Sequence, residues 1–243
     1  MNRDSTFSVA FVPLSSVRRA QHRIGTTVLH QGCLVAALLF ALLIPTAAYA
    51  QDASAELHAA AKRGDVDALR AQLAKGIDVN ARSADGKTAL MDAAFLGRLD
   101  AAKLLLEKGA DANAKDKEDH TALIEAAGPG HIQVVLALLE KGANLNSKST
   151  DGSTALIEAA SNNRAEVVKA LLEKGAGLDD KDKEGRTALI LAANWGHADA
   201  AQALIDKGAN VNAKDKYGYT ALMYAKRENH ANVAEALAKA GAK

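Results

Sequence analysis

Along residues 56–243, apolar residues come in pairs of short clusters separated by polar stretches, and the pair recurs every 33 residues. In residues 85–117, DGKTALMDAAFLGRLDAAKLLLEKGADANAKDK, the first cluster is Leu90, Ala93 and Ala94. The second is Ala101, Ala102, Leu104, Leu105 and Leu106. Spacings of three and four put each cluster on one face of a short helix. The polar tail, residues 113–117, then runs into turn dipeptides of the type Asp85-Gly86, repeated as Asp151-Gly152, Glu184-Gly185 and Tyr217-Gly218. Each unit therefore reads as a helix, a turn, a helix and a projecting loop.

The punctuation repeats with the pattern. Thr88, Thr121, Thr154, Thr187 and Thr220 each precede Ala-Leu and are placed to cap the free N–H groups of the first helix. Gly97 separates the two helices, and Gly109 ends the second in the left-handed conformation that glycine adopts cheaply. Gly128-Pro129-Gly130 falls at the inter-helix turn and is expected to shorten the helix before it.

These features resemble the ankyrin repeat, from about Ser54 to Lys243. The resemblance implies an all-α solenoid of about six stacked units. They divide as a cap at 54–84, repeats at 85–117, 118–150, 151–183 and 184–216, and a C-terminal cap at 217–243, within a domain spanning 51–243. The family's Pro after Thr is Ala here. Its His after Leu is replaced by Met91, Ile124, Ile157, Ile190 and Met223, surviving only as His58 in the cap. Because that His ties adjacent loops together, the loops here are expected to be less firmly cross-bonded.

Composition sharpens the picture. Only 4% of residues are aromatic, so the core must be built from Ala, Leu, Val and Ile, which suits close helix packing. Residues 1–50 differ from the rest: Arg3, Arg18, Arg19 and Arg23, then the apolar run 34–44, Pro45 and Ala48-Tyr49-Ala50. These are the parts of a secretory signal peptide with cleavage after Ala50. Eleven apolar residues make only ~16 Å of helix against a hydrocarbon layer of ~30 Å, too short for an anchor. Cys33, the single cysteine, lies in this leader. Of 30 basic and 29 acidic residues, the leader holds four arginines and one aspartate. The remaining 26 and 28 give a net charge of −2, with no basic footprint for nucleic acid. A periplasmic monomer with no stable membrane insertion is expected, with release beyond the cell as the alternative location.

Candidate chemistry is sparse. There is no nucleophile elbow, phosphate-cradling glycine loop or HExxH, so neither cofactor nor metal is expected. His131, His197 and His230 share one repeat position and belong to different layers, too far apart for one zinc. Asp180, Asp182, Glu184 and Gly185 copy the opening of a calcium loop, but its twelfth position is Leu191 instead of Glu. Asp92, Glu125 and Glu158 form an acidic column on successive first helices, continued by Leu191 and Tyr224. At about one layer apart they have the spacing of a carbohydrate-hydrolysing pair. An open surface, however, offers no burial to raise one carboxylate's pKa. A solvated polar stripe, available to a partner, is the expectation.

Loop tips and inner helices should form the concave binding face of the solenoid. The tips carry Lys87, His120, Ser153, Arg186 and Tyr219 in turn. Phe95, Trp195, Tyr217, Tyr219 and Tyr224, the five aromatics after residue 50, also fall on this face. Aromatics and Arg are favoured interface anchors, so with Arg186 they define a candidate site for a protein partner. The reading is a non-enzymatic interaction scaffold. The resemblance extends to small exported bacterial ankyrin proteins, some of which are associated with catalases and peroxide defence. A secreted effector that binds host proteins, or a carbohydrate-active enzyme using the acidic column, are the other readings.

Overall fold

The computed structural model describes residues 46–243. Twelve helices run in six pairs: α1 (Thr46–Arg63) with α2 (Val66–Ala74), α3 (Ala89–Phe95) with α4 (Leu99–Glu107), and α5 (Ala122–Ala127) with α6 (Ile132–Glu140). They continue as α7 (Ala155–Ser161) with α8 (Ala165–Glu173), α9 (Ala188–Asn194) with α10 (Ala198–Asp206), and α11 (Ala221–Arg227) with α12 (Ala231–Lys239). No strand occurs among the described residues, only an isolated bridge between Arg82 and Thr88. No helix among them is long and apolar enough to cross a membrane. The expected cleavage point after Ala50 falls within α1, and residues 1–45 of the expected leader lie outside the described residues.

Each repeat after the cap starts its first helix as the sequence predicts. Thr88, Thr121, Thr154, Thr187 and Thr220 sit in extended backbone, and each hydroxyl oxygen accepts the N–H three residues on. The bonds measure 3.3–3.4 Å. All five threonines are buried, so the cap satisfies a donor that water cannot reach. The helices of these repeats span only six to nine residues, below the length at which an isolated helix persists in water. Packing must hold them. First helices contact first helices of neighbouring repeats, and second helices contact second helices. The seam is lined by fully buried small and aliphatic side chains such as Ala93, Ala94, Leu105, Ala126, Leu138 and Ala160. Alanine at these positions allows close helix approach without the bulk that aromatic residues would bring.

The inter-helix turn is locked across the stack by one repeat position. His131 Nε2 donates to the carbonyl of Phe95 at 3.0 Å, His197 Nε2 to Ser161 at 3.0 Å and His230 Nε2 to Asn194 at 3.1 Å. Arg98 and Arg164 do the same with Nε, reaching the carbonyls of Lys62 and Gly128. Each side chain thus satisfies a carbonyl at the end of the preceding repeat's first helix, one the helix leaves unpaired. This is the work done by the three histidines that sequence places in separate layers.

The loops are firmly cross-bonded, contrary to the expectation drawn from the missing family histidine. Three other rungs join them. Asn80, Asn113, Asn146, Asp179 and Asn212 each accept, through Oδ1, a backbone N–H of the following loop. Lys115, Lys148 and Lys181 each donate Nζ to the carbonyl 33 residues on. The backbone N–H groups of Lys117, Thr150, Lys183 and Lys216 reach the carbonyls of Asp85, Glu118, Asp151 and Glu184. The 33-residue repeat puts each donor beside its acceptor, so apolar Met91, Ile124, Ile157 and Ile190 can fill the core instead.

Candidate functional site

Within each loop, a short polar residue two to four positions before the tip fixes the turn. Asp116, Asp182 and Asp215 accept two backbone N–H groups apiece on Oδ1, from Glu118 and His120, Glu184 and Arg186, and Tyr217 and Tyr219. Asp182 and Asp180 therefore have structural partners: Asp182 also holds Arg186 Nε at 2.7 Å, and Asp180 meets Lys148 at 3.2 Å. The calcium-loop likeness is the ordinary inter-repeat turn.

The acidic column departs from the expected solvated stripe. Asp92 and Glu125 are each only 8% exposed. His58 Nδ1 lies 2.6 Å from Asp92 Oδ2, its Nε2 3.2 Å from the Ala81 carbonyl, and Lys62 stands 3.7 Å from Asp92 Oδ1. Lys87 Nζ donates to Glu125 at 2.7 Å; burial pulls the lysine's pKa down, but that bond and the charges of Glu125, Asp116 and Asp92 together raise it. The physical reason is the neighbouring unit: the cap helix brings His58 and Lys62 to Asp92, and the loop before α3 brings Lys87 to Glu125. Glu158 differs: it is half-buried, and its carboxylate has no hydrogen-bond or ion-pair partner among the described residues.

One grouping escaped sequence reasoning. Asp116, His120 and Glu125 each bring one potential ligand atom within 4.8 Å of the others. His120 Nδ1 lies 3.8 Å from Asp116 and 3.9 Å from Glu125. Asp116 is bound to the turn backbone and Glu125 to Lys87, so the two carboxylates already serve structural partners. The signal available in sequence was a histidine at a loop tip, four residues after the turn aspartate and five before the helix glutamate.

At the other end of the stack the aromatics gather. Trp195, Tyr217, Tyr219 and Met223 are 59%, 65%, 40% and 45% exposed, while Tyr224 is half-buried. Tyr219 and Tyr224 rings lie 5.4 Å apart, and the Arg227 guanidinium stands over both, at 5.6 and 4.6 Å. Lys216 lies 5.1 Å over Tyr217. Tyr224 OH donates to Asp215 at 2.7 Å and Tyr217 OH to Glu184 at 3.0 Å. Burial, followed by the bond to Asp215, pushes Tyr224 up to about 12. For Asp215, burial is outweighed by bonds from Tyr224, Tyr219 N and Tyr217 N, which hold its carboxyl below the usual range. Tyr217 and Tyr224 are thus fixed by their hydroxyls, and all three tyrosine rings by stacked cations, while Trp195 and much of Tyr217 and Tyr219 stay open to solvent. Phe95 lies three repeats away, 51% exposed, with Lys87 5.9 Å from its ring centre. The structure therefore splits the candidate residues into two groups. Arg186, Trp195, Tyr217, Tyr219 and Tyr224 lie in the last two repeats, while Phe95 accompanies Asp92, Glu125 and Glu158 in the earlier ones.

Comparison with known proteins agrees with this architecture. The family model described as ankyrin repeats matches three times, over residues 29–116, 112–182 and 177–243. A search of curated proteins returned no match. Among solved structures, the chain is similar to an ankyrin repeat domain from Acinetobacter baumannii AYE, with 34% identity and a TM-score of 0.70. That match covers 77% of this chain and 98% of the other. The stacked helix pairs, the threonine caps and the matches together place this chain in the ankyrin-repeat family.

Proposed function

We propose that this chain is a non-enzymatic scaffold that captures a protein partner, and that the C-terminal aromatic surface is its principal contact. Ankyrin repeats generally mediate protein–protein interaction. The observation that carries the reading is the exposure of Trp195, Tyr217, Tyr219 and Met223 together on the last two repeats of a chain that is 4% aromatic. The exposed tyrosine rings, held by stacked cations and, at Tyr217, by a hydroxyl bond, lose little freedom when a partner covers them, which makes them effective anchors. The paired state of Asp92 and Glu125 favours this reading over catalysis by the acidic column.

The leader read from the sequence supports action in the periplasm. The test is capture from a periplasmic extract by the purified chain, with a Trp195→Ala, Tyr219→Ala double variant as comparison. Both residues are exposed, so the variant should keep the helical signal of the parent. A protein held by the parent and lost from the variant supports the reading. Equal capture by both removes the aromatic surface from it.

A further inference from the structure

Two carboxylates of the central repeats that have no ion-pair partner among the described residues, Asp151 and Glu158, border the same hollow. Gly128 and Pro129 close α5, where the preceding repeat has Phe95 and Leu96. A side chain at Gly128 would meet nothing nearer than 3.9 Å, where Glu158 Oε2 and Asn162 Nδ2 lie. The missing side chain leaves a cavity of about 320 Å³ walled by Phe95 and Pro129 and rimmed by Glu125, Asp151 and Glu158. It adjoins a second, of about 480 Å³, and the two share His120 and Asp151.

The general fold does not require this gap. Gly128 has helical φ −59° and ψ −52°, open to any L-residue, and glycine there weakens a helix relative to alanine. Its presence is tied to Pro129, whose ring would clash with a Cβ on a helical residue before it. Neither residue is demanded by the turn itself, because Phe95-Leu96-Gly97 makes the same turn one repeat earlier.

The charges around the gap are unbalanced. Glu125 is matched by Lys87. The Glu158 carboxylate has no partner, and that of Asp151 accepts only from Ser149 and Ser153 among the described residues, with His120 alone adding a favourable charge nearby. Half-buried Glu158 beside an aromatic face suits a planar cation, which stacks on the ring while its N–H groups reach carboxylate oxygens. We propose that this notch receives an arginine side chain of the protein partner, presented on an extended segment. The proposal rests on the protein-binding reading and adds a contact point distinct from the C-terminal aromatics.

The test uses a fluorescein-labelled hexa-arginine peptide titrated into the purified chain at fixed ionic strength. The decisive variant is Gly128→Phe with Pro129→Leu, which fills the notch with the pair found at 95–96 and changes no charge. An unchanged thermal transition verifies that it folds. At least tenfold weaker binding is expected, with a loss for Glu158→Gln that the exposed Glu173→Gln does not share. Hexa-lysine should bind more weakly than hexa-arginine. Equal binding by the filled-notch variant, equal losses for the two glutamate variants, or no binding by the parent would overturn the proposal. Trp195→Ala with Tyr219→Ala should leave peptide binding intact; a matching loss there would move the arginine site to the aromatic end and likewise overturn it. If that variant loses the periplasmic partner but keeps the peptide, both readings stand. If it retains the partner, only the aromatic reading falls.

Discussion

Replacing Gly97 with alanine separates two contributions that a glycine at an inter-helix turn can make. Gly97 has φ +66°, and a Cβ built there would lie 2.5 Å from Nδ1 of His131, far inside contact distance. The same ring donates Nε2 to the Phe95 carbonyl, so it cannot retreat without losing that bond. Gly109 is also left-handed, at φ +88°, but has nothing within 4 Å of its Cβ position. The left-handed conformation alone costs an L-residue roughly 1–2 kcal/mol. Losing that hydrogen bond adds roughly 0.5–1.5 kcal/mol. Gly109→Ala should therefore destabilise by about 1–2 kcal/mol and Gly97→Ala by about 1.5–3.5 kcal/mol. Urea unfolding followed by far-UV circular dichroism measures both, with an unchanged m-value showing that the transition keeps its cooperativity. Introduced into a His131→Ala background, Gly97→Ala should cost only what Gly109→Ala costs. The reasoning is refuted if the two glycine variants are equally unstable, or if the extra cost at Gly97 survives removal of the ring.

Two further expectations follow from the charged groups. Asp215 and Asp151 are held below the usual aspartate range, in each case by hydrogen bonds that outweigh burial. Their depressed values mean that the unfolded chain binds more protons. The stability they contribute is fully present above the ordinary aspartate pKa and is lost as pH falls through the lower folded value. Melting temperature should accordingly drop on acidification below about pH 4, and Asp215→Asn should flatten that drop; an unchanged acid slope in the variant would contradict the assignment. Lys87→Ala leaves Glu125 buried without its cation, so it should destabilise more in the parent than in a Glu125→Gln background. The double-mutant cycle is expected to give a coupling of about 1 kcal/mol, and a value near zero would mean the pair carries no net stability.

The fold was legible because a repeat states its rules five times over. A threonine before Ala-Leu, an alanine pair, and glycines at fixed offsets each have a local physical reason, and the stack repeats those reasons without new long-range information. The exposed aromatics were legible for the same cause: once the register is known, position in the unit names the face on which Trp195, Tyr217 and Tyr219 lie. What the repeat register could not supply was the relation between neighbouring units. Asp92 and Glu125 look like a solvated stripe along one helix face, and become buried only because the loop carrying Lys87 and the cap helix carrying His58 fold against them. His120 likewise acquires its neighbours from a turn aspartate and a helix glutamate on either side of it. The loop rungs show the same thing in reverse. Losing the family histidine suggested looser loops, yet Asn80, Asn113 and Lys115 restore the ties through partners 29 to 33 residues away. Departures from the repeat are therefore the informative positions in such a chain. Gly128-Pro129 is the clearest: in isolation it reads as a shortened helix, and only the placement of Phe95, Asp151 and Glu158 around it turns the missing side chain into a space with a charge requirement.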